Sequence, residues 1–382
     1  MIKKLLFLLL LAGPYVTYAQ ITHETLNSTK LGETRQIKIQ LPRNYDANKE
    51  KSYPVMVVLD GDYLFEPVAG NVDYYSYWED IPEMIVVGIN QASSREDDGY
   101  YDEQRFLPAG PGAAFFEFIG MELIPHLEKK YRTAPFRVII GHDFTANFMN
   151  YYLLKENPLF QGYINLSPDL APEMITRLAD VLDRSSNKTW YYLATGSEDI
   201  PQLKEGIMSL DEKLKNLNNK NINYQFDNFE GATHYSLVGM AIPKAIEQIF
   251  QVYRPISLQD YNRILLQTSV SGYDYLIEKY ETIEELFGLQ KQIRLNDFMA
   301  VYNAMEKTRN WDGLRDLSKL ASKHYPKTML ATYFEARYEE EIGNPKKAMR
   351  SYQNAYGQEP VAFLTVDFML DKAEAIKRDF GY

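Results

Sequence analysis

The chain is predicted to be an α/β protein with a mostly parallel sheet, followed by an all-helical region. Three observations predict this. Short apolar runs alternate with amphipathic helical stretches from Arg35 to about Phe250. No strand pattern follows Arg254-Pro255, where residues 258–382 are rich in Leu, Tyr, Lys and Glu at helical spacing. Gly141-His142-Asp143-Phe144-Thr145 directly follows the apolar run 136–140, which is where such a sheet carries a tight strand-to-helix turn.

The strand candidates are residues 37–41, 55–59, 84–89, 136–140, 163–166, 190–194 and 224–226. Several are nearly continuous apolar runs, as strands covered on both faces require. Between them, residues 113–131, 144–156, 171–182, 202–216 and 237–253 carry helical periodicity. Strand–helix alternation of this kind produces parallel pairing with helices on both faces. Ligands of such sheets bind at the carboxyl ends of the strands.

The 382 residues are ample for two domains, expected at 20–253 and 254–382. Thirty tyrosines supply a large aromatic core. In the second domain Gly343, Ala348, Tyr352, Ala355 and Pro360 stand at the spacings of the second half of a tetratricopeptide (TPR) repeat. Ala321 and Pro326, 34 residues before Ala355 and Pro360, echo it. An ordinary helical hairpin is the alternative.

Residues 1–19 read as a signal peptide. Lys3-Lys4 precedes an apolar stretch over 5–12, and Thr17-Tyr18-Ala19 before Gln20 suits cleavage. The apolar stretch is too short to remain as a membrane span. Export to a bacterial periplasm or beyond is therefore expected. Net charge is −11; losing Lys3 and Lys4 leaves 39 basic against 52 acidic side chains, or −13. That balance disfavours nucleic acid and anionic membrane as partners. The chain has no cysteine, which excludes disulfides and thiol catalysis. Five histidines without paired spacing give no expectation of a metal, and no cofactor is expected.

Three residues in chain order suit a hydrolytic site: Asp143 at the turn, Glu198 after the strand at 190–194, and His234 between the last strand and last helix. Glu198 is preferred to its neighbour Asp199 as the acid. A carboxylate at the turn needs no base to ionise it, yet attacks ordinary esters poorly. Two outcomes stay open: a carboxylate nucleophile acting at saturated carbon, or a quiescent Asp143–His234–Glu198 charge bridge. Asp60-Gly61-Asp62 could hold a cation, although a loop after a strand is the plainer reading. Arg95 could grip a substrate charge, against a solvated loop at 95–98. The aromatic run at 73–78 would suit a sugar or aromatic acyl group beside a pocket, with packing as the alternative.

Tyr53-Pro-Val-Met-Val-Val-Leu-Asp60-Gly61-Asp62, Ile81-Pro-Glu-Met-Ile-Val-Val-Gly88-Ile and Glu122-Leu-Ile-Pro-His-Leu-Glu-Lys-Lys-Tyr-Arg132-Thr together resemble the esterase family that contains esterase D and the enterochelin esterases. The resemblance spans roughly residues 35–250 and leaves the helical region uncovered. It implies an α/β-hydrolase fold and hydrolysis of acyl, siderophore-ester or feruloyl-type esters. By position it assigns the nucleophile to Asp143, the acid to Glu198 and the base to His234. It also implies oxyanion donors at the N–H of Phe144 and in the loop Gly61, Asp62, Tyr63. The chain departs from the family pattern where Asp143 replaces serine and Thr145-Ala146 replaces Gly-Gly. A small ester, siderophore, acyl or carbohydrate-linked ligand is expected, with a protein partner for the helical region.

Overall fold

The computed structural model describes residues 21–267 and 270–382. The expected signal peptide lies outside the described residues. The chain divides into two compact units, the first ending at Ile249 and the second running Phe250–Tyr382. The break falls ahead of the expected 253/254 boundary because the rings of Phe250 and Tyr253 pack on Phe287 of the second unit.

The first unit is built on eight strands: β1 (Ile21–Asn27), β2 (Thr34–Gln40), β3 (Tyr53–Val58), β4 (Ile85–Ile89), β5 (Thr133–His142), β6 (Gly162–Leu166), β7 (Thr189–Glu198) and β8 (Ile222–Thr233). Their order across the sheet is β1-β2-β4-β3-β5-β6-β7-β8. Only the β1–β2 and β2–β4 pairings are antiparallel. Every residue of β3, β4 and β6 is buried, as the continuous apolar runs demand. β1 carries a half-exposed edge pattern, which hid it from periodicity.

Helices α1 (Phe65–Tyr77), α2 (Arg95–Asp98), α3 (Gly110–Phe118), α4 (Ile124–Lys130), α5 (Phe144–Met149), α6 (Met174–Arg184), α7 (Pro201–Leu214) and α8 (Leu237–Ile249) flank the sheet. The single helix expected over 113–131 is split into α3 and α4 by a π-turn at Ile119–Leu123. Pro125 lies just beyond and lacks the N–H that regular α pairing needs. The helix expected over 144–156 also stops early, at Met149. There Asn150 donates its amide to Ala146 O (3.0 Å) and Asn165 Oδ1 (2.9 Å), and a 3₁₀ turn follows.

The second unit contains α9 (Leu258–Asp260), α10 (Gly272–Phe287), α11 (Leu295–Thr308), α12 (Trp311–His324), α13 (Leu330–Glu341), α14 (Pro345–Asn354) and α15 (Val366–Phe380). Gly343 turns the chain between α13 and α14 at φ +84°, a conformation that favours glycine. Ala348, Tyr352 and Ala355 are fully buried along one side of that hairpin. Ala321 is equally buried on α12. Arg337 on α13 is held by Glu306, Glu340 and Glu341, so its buried charge is compensated.

Candidate active site

At the carboxyl edge of the sheet β5 breaks sharply into α5. Asp143 occupies the turn with φ +60° and ψ −120°, a conformation that costs a non-glycine residue about 1–3 kcal/mol. The surrounding chain enforces it. Asp143 N–H donates to Leu166 O (2.9 Å), and its carbonyl accepts from Asn147 N–H (3.3 Å) and Asp169 N–H (3.1 Å). Gly141 makes the close return of α5 possible, since a Cβ there would stand 2.8 Å from Ala146 N and from Thr145 C and O. The strand-to-helix turn thus has the strained form of a nucleophile elbow, with a carboxylate at its tip.

His234 follows β8 and is buried beside the elbow. Its Nδ1 lies 2.9 Å from Asp199 Oδ1 and 3.0 Å from Ser167 Oγ. The expected acid, Glu198, is exposed instead. Its backbone pairs with Thr233 as the last residue of β7. One residue later the chain turns, with Asp199 N–H bonded to Gly196 O (3.2 Å), and the side chain of Asp199 folds inward. Gly196 lets the end of β8 pass close by, because a Cβ there would sit 2.0 Å from Ala232 O. Burial pushes the Asp199 carboxyl up, but hydrogen bonds from His234, Ser167, Thr195 and Ile200 N–H outweigh it and hold it well below the usual carboxylate range. Asp199 is therefore anionic and orients the imidazole through Nδ1, leaving Nε2 unbonded.

Asp143 makes no hydrogen bond to His234. Its Oδ2 accepts from Nη1 and Nη2 of Arg95, each at 3.3 Å. The expected Asp143–His234–Glu198 charge bridge is thus absent on both sides: Arg95 takes Asp143, and Asp199 takes His234. Arg95 belongs to α2, so the segment at 95–98 is ordered rather than a solvated loop. Its guanidinium is anchored by buried Asp60, with Nε–Oδ1 at 2.7 Å and Nη2–Oδ2 at 3.2 Å, and by His142 O at 3.1 Å. Asp60 does meet a cation, and the cation is this side chain. Among the described residues no group of three His, Asp or Glu is disposed to hold a metal ion.

Thr145, in place of the family's glycine, fits the turn without opening it. Its buried hydroxyl donates to Asp60 Oδ2 (2.6 Å) and accepts from His142 N–H (3.1 Å). Asp169 stands next to the elbow, and burial together with the neighbouring Asp143 charge raises its carboxyl pKa.

Phe144 heads α5, where its N–H has no acceptor within the helix. Two of the three loop donors implied by resemblance are already engaged: Gly61 N–H bonds Ile89 O (2.7 Å) and Tyr63 N–H bonds Asp60 O (3.1 Å). The N–H of Asp62 is the one left for a ligand. Its carboxylate accepts from Gln91 N–H (2.6 Å) and Ala92 N–H (2.8 Å), which orients the loop. The half-exposed ring of Tyr63 and the more exposed ring of Tyr235 both stand edge-on to the ring of His142.

The aromatic run at 73–78 is elsewhere. α1 leaves the carboxyl end of β3, and its 13 residues carry the chain about 20 Å toward the opposite edge, where β4 begins. Arg43, just beyond the end of β2, pairs with Asp73 there. Tyr74, Tyr77 and Trp78 therefore do not line this site.

A strained elbow, an oriented histidine and unengaged backbone donors at the sheet edge define a hydrolase-type protein. The chain belongs to the putative esterase family, whose model matches residues 28–236. It is 26% identical over 224 residues to the ferri-bacillibactin esterase BesA of Bacillus subtilis, covering 51% of this chain and 78% of that one. An uncharacterised protein from Capnocytophaga ochracea has a similar structure, with a TM-score of 0.84 at 29% identity, covering 94% of this chain and 100% of its own. The IroE-like serine hydrolase of Shewanella oneidensis shares the fold, with a TM-score of 0.58 at 21% identity over 79% of this chain and 99% of that one.

Proposed function

We propose that the mature chain is an exported member of the family that binds a small ester, with serine-type hydrolysis lost at the elbow. The observation that carries this is the Asp143 carboxylate clamped by Arg95. A serine mechanism starts when histidine removes a hydroxyl proton from the nucleophile, and a salt-bridged carboxylate has none to give. Loss of the nucleophile from such a triad lowers turnover on the order of a millionfold. The bacillibactin esterase relative supports a siderophore ester as ligand class, with acyl and carbohydrate-linked esters as related candidates. The hairpin α13–α14, with its buried Ala348, Tyr352 and Ala355, supports a TPR-like stack that presents a surface to a protein partner.

The test is hydrolysis of short nitrophenyl esters by the mature protein, by Asp143→Ser and by His234→Ala. Activity appearing only in Asp143→Ser is the expected result. Turnover by the parent that vanishes in His234→Ala would overturn the binding role.

A second reading is favoured by one detail: Arg95 holds only Oδ2, so Asp143 Oδ1 and His234 Nε2 both remain unbonded. Oδ1 could displace a leaving group from saturated carbon, the leaving group departing with its electron pair and an alkyl ester forming on Asp143. Nε2 would then take a proton from water as the water oxygen attacks the ester carbonyl. The alcohol leaves, and the restored carboxylate carries one oxygen from water. Single turnover in heavy-oxygen water would place label in Asp143, and an unlabelled peptide rejects this chemistry.

A further inference from the structure

Three segments meet at the elbow: Asp60 to Leu64 after β3, the β5–α5 junction from Gly141 to Phe144, and Thr233 to Ser236 at the end of β8. The ring of His142, immediately before the tip, touches the other two. Its Nε2 lies 3.0 Å from the carbonyl oxygen of His234, and its Nδ1 lies 3.0 Å from Tyr63 Oη. The two imidazoles pack with centroids 4.5 Å apart and planes inclined by 33°. His142 is buried, so neither nitrogen can exchange its partner for water at no cost.

Counting protons assigns the tautomer. A carbonyl oxygen only accepts, so Nε2 carries the hydrogen. In the neutral ring Nδ1 is then an acceptor and must receive the hydroxyl proton of Tyr63. Asp60 Oδ2 is also within reach of that hydroxyl, at 2.9 Å. Asp60 can release it, because Arg95 and Thr145 already supply the carboxylate with donors. Burial, together with repulsion from His234, lowers the His142 pKa and favours this neutral form. Were the ring to gain a proton, Nδ1–H would donate to Tyr63 Oη and Tyr63 to Asp60, with the Nε2 bond unchanged.

We infer that His142 is a positioning residue. It pins the backbone of His234, and hence the loop that carries the base, to the elbow; the carbonyl sets its tautomer and Tyr63 satisfies Nδ1. This rests on the reading that His234 is the basic group of the site. Neither the nucleophile's identity nor any turnover enters the argument.

The experiment compares the mature protein with His142→Gln, which keeps a donor and an acceptor at the side-chain end, and with His142→Leu, which keeps neither. The first readout is the far-downfield proton resonance of His234 Nδ1–H on Asp199. The second is amide hydrogen exchange in residues 231–236 against exchange in the core strands. We expect the resonance and slow loop exchange to survive in His142→Gln. In His142→Leu the resonance should broaden or vanish and loop exchange should rise at least tenfold, while β3, β5 and β6 stay protected. Unchanged loop exchange in a folded His142→Leu overturns the inference. So does equal loss in both variants, or loss spread over the whole sheet, because each is what a merely structural residue would give. His234→Ala in the Asp143→Ser background assays the underlying reading separately through nitrophenyl ester hydrolysis, so the two can fail independently.

Discussion

Asp199 and Glu198 are neighbours in the chain, but only Asp199 reaches His234, at 2.9 Å. In the Asp143→Ser background, Asp199→Asn is expected to lower kcat on nitrophenyl esters by roughly 10³–10⁴-fold, because the imidazole loses its oriented anionic partner. Glu198→Gln should change kcat less than about threefold, in keeping with its exposure. The same residue sets an acid response. Asp199 has a folded-state pKa below its unfolded value of about 3.9. Its stabilisation is therefore complete above that pH and is lost as pH falls from there through the folded-state value. Thermal unfolding below about pH 4 should fall more steeply in the parent than in Asp199→Asn. At this scale the placement of Asp143 at the turn and of His234 after the last strand was legible from the apolar run before Gly141 and from chain order. The choice of acid was not, because it depends on a turn after β7 that no local pattern marks.

Among the elements, the β5–α5 elbow shows how closely backbone geometry limits substitution. Gly141→Ala places a methyl group against the backbone of Thr145 and Ala146 and is expected to cost about 1–3 kcal/mol. The check is a lower urea midpoint with an unchanged slope, since the fold should survive. Seven of the eight strands were legible, β3, β4 and β6 because fully buried strands need continuous apolar residues. β1 was not, since a half-exposed edge strand needs only a few. The helix over 113–131 had the right periodicity, which cannot register a π-turn beside Pro125. α1 was hidden by its aromatic run, which reads equally well as a binding cluster. Only the direction in which α1 crosses the sheet moves Tyr74, Tyr77 and Trp78 to the far edge.

For the molecule as a whole, we propose export with cleavage after Ala19. The measurement is the mass of the protein recovered from a bacterial host that processes signals, which should begin at Gln20. A mass retaining residues 1–19 would reject it. Among the described residues no helix is long and apolar enough to cross a membrane. The mature charge of −13, from 39 basic and 52 acidic side chains, also predicts weak retention on anionic vesicles at low salt.

The sequence by itself determined the parallel α/β unit, the helical region behind it, the elbow with Asp143 at its tip and the order of Asp143 and His234. These depend on periodicity, apolar runs and residue order, which are local properties of the chain. Only the tertiary structure decided that Arg95 clamps Asp143, that Asp199 rather than Glu198 orients His234, and that His142 and Tyr63 tie three segments together. Each of those contacts joins polar groups from separate segments at the sheet edge, and they span dozens of residues. Their geometry follows from strand order and loop direction, which no single stretch of the chain contains.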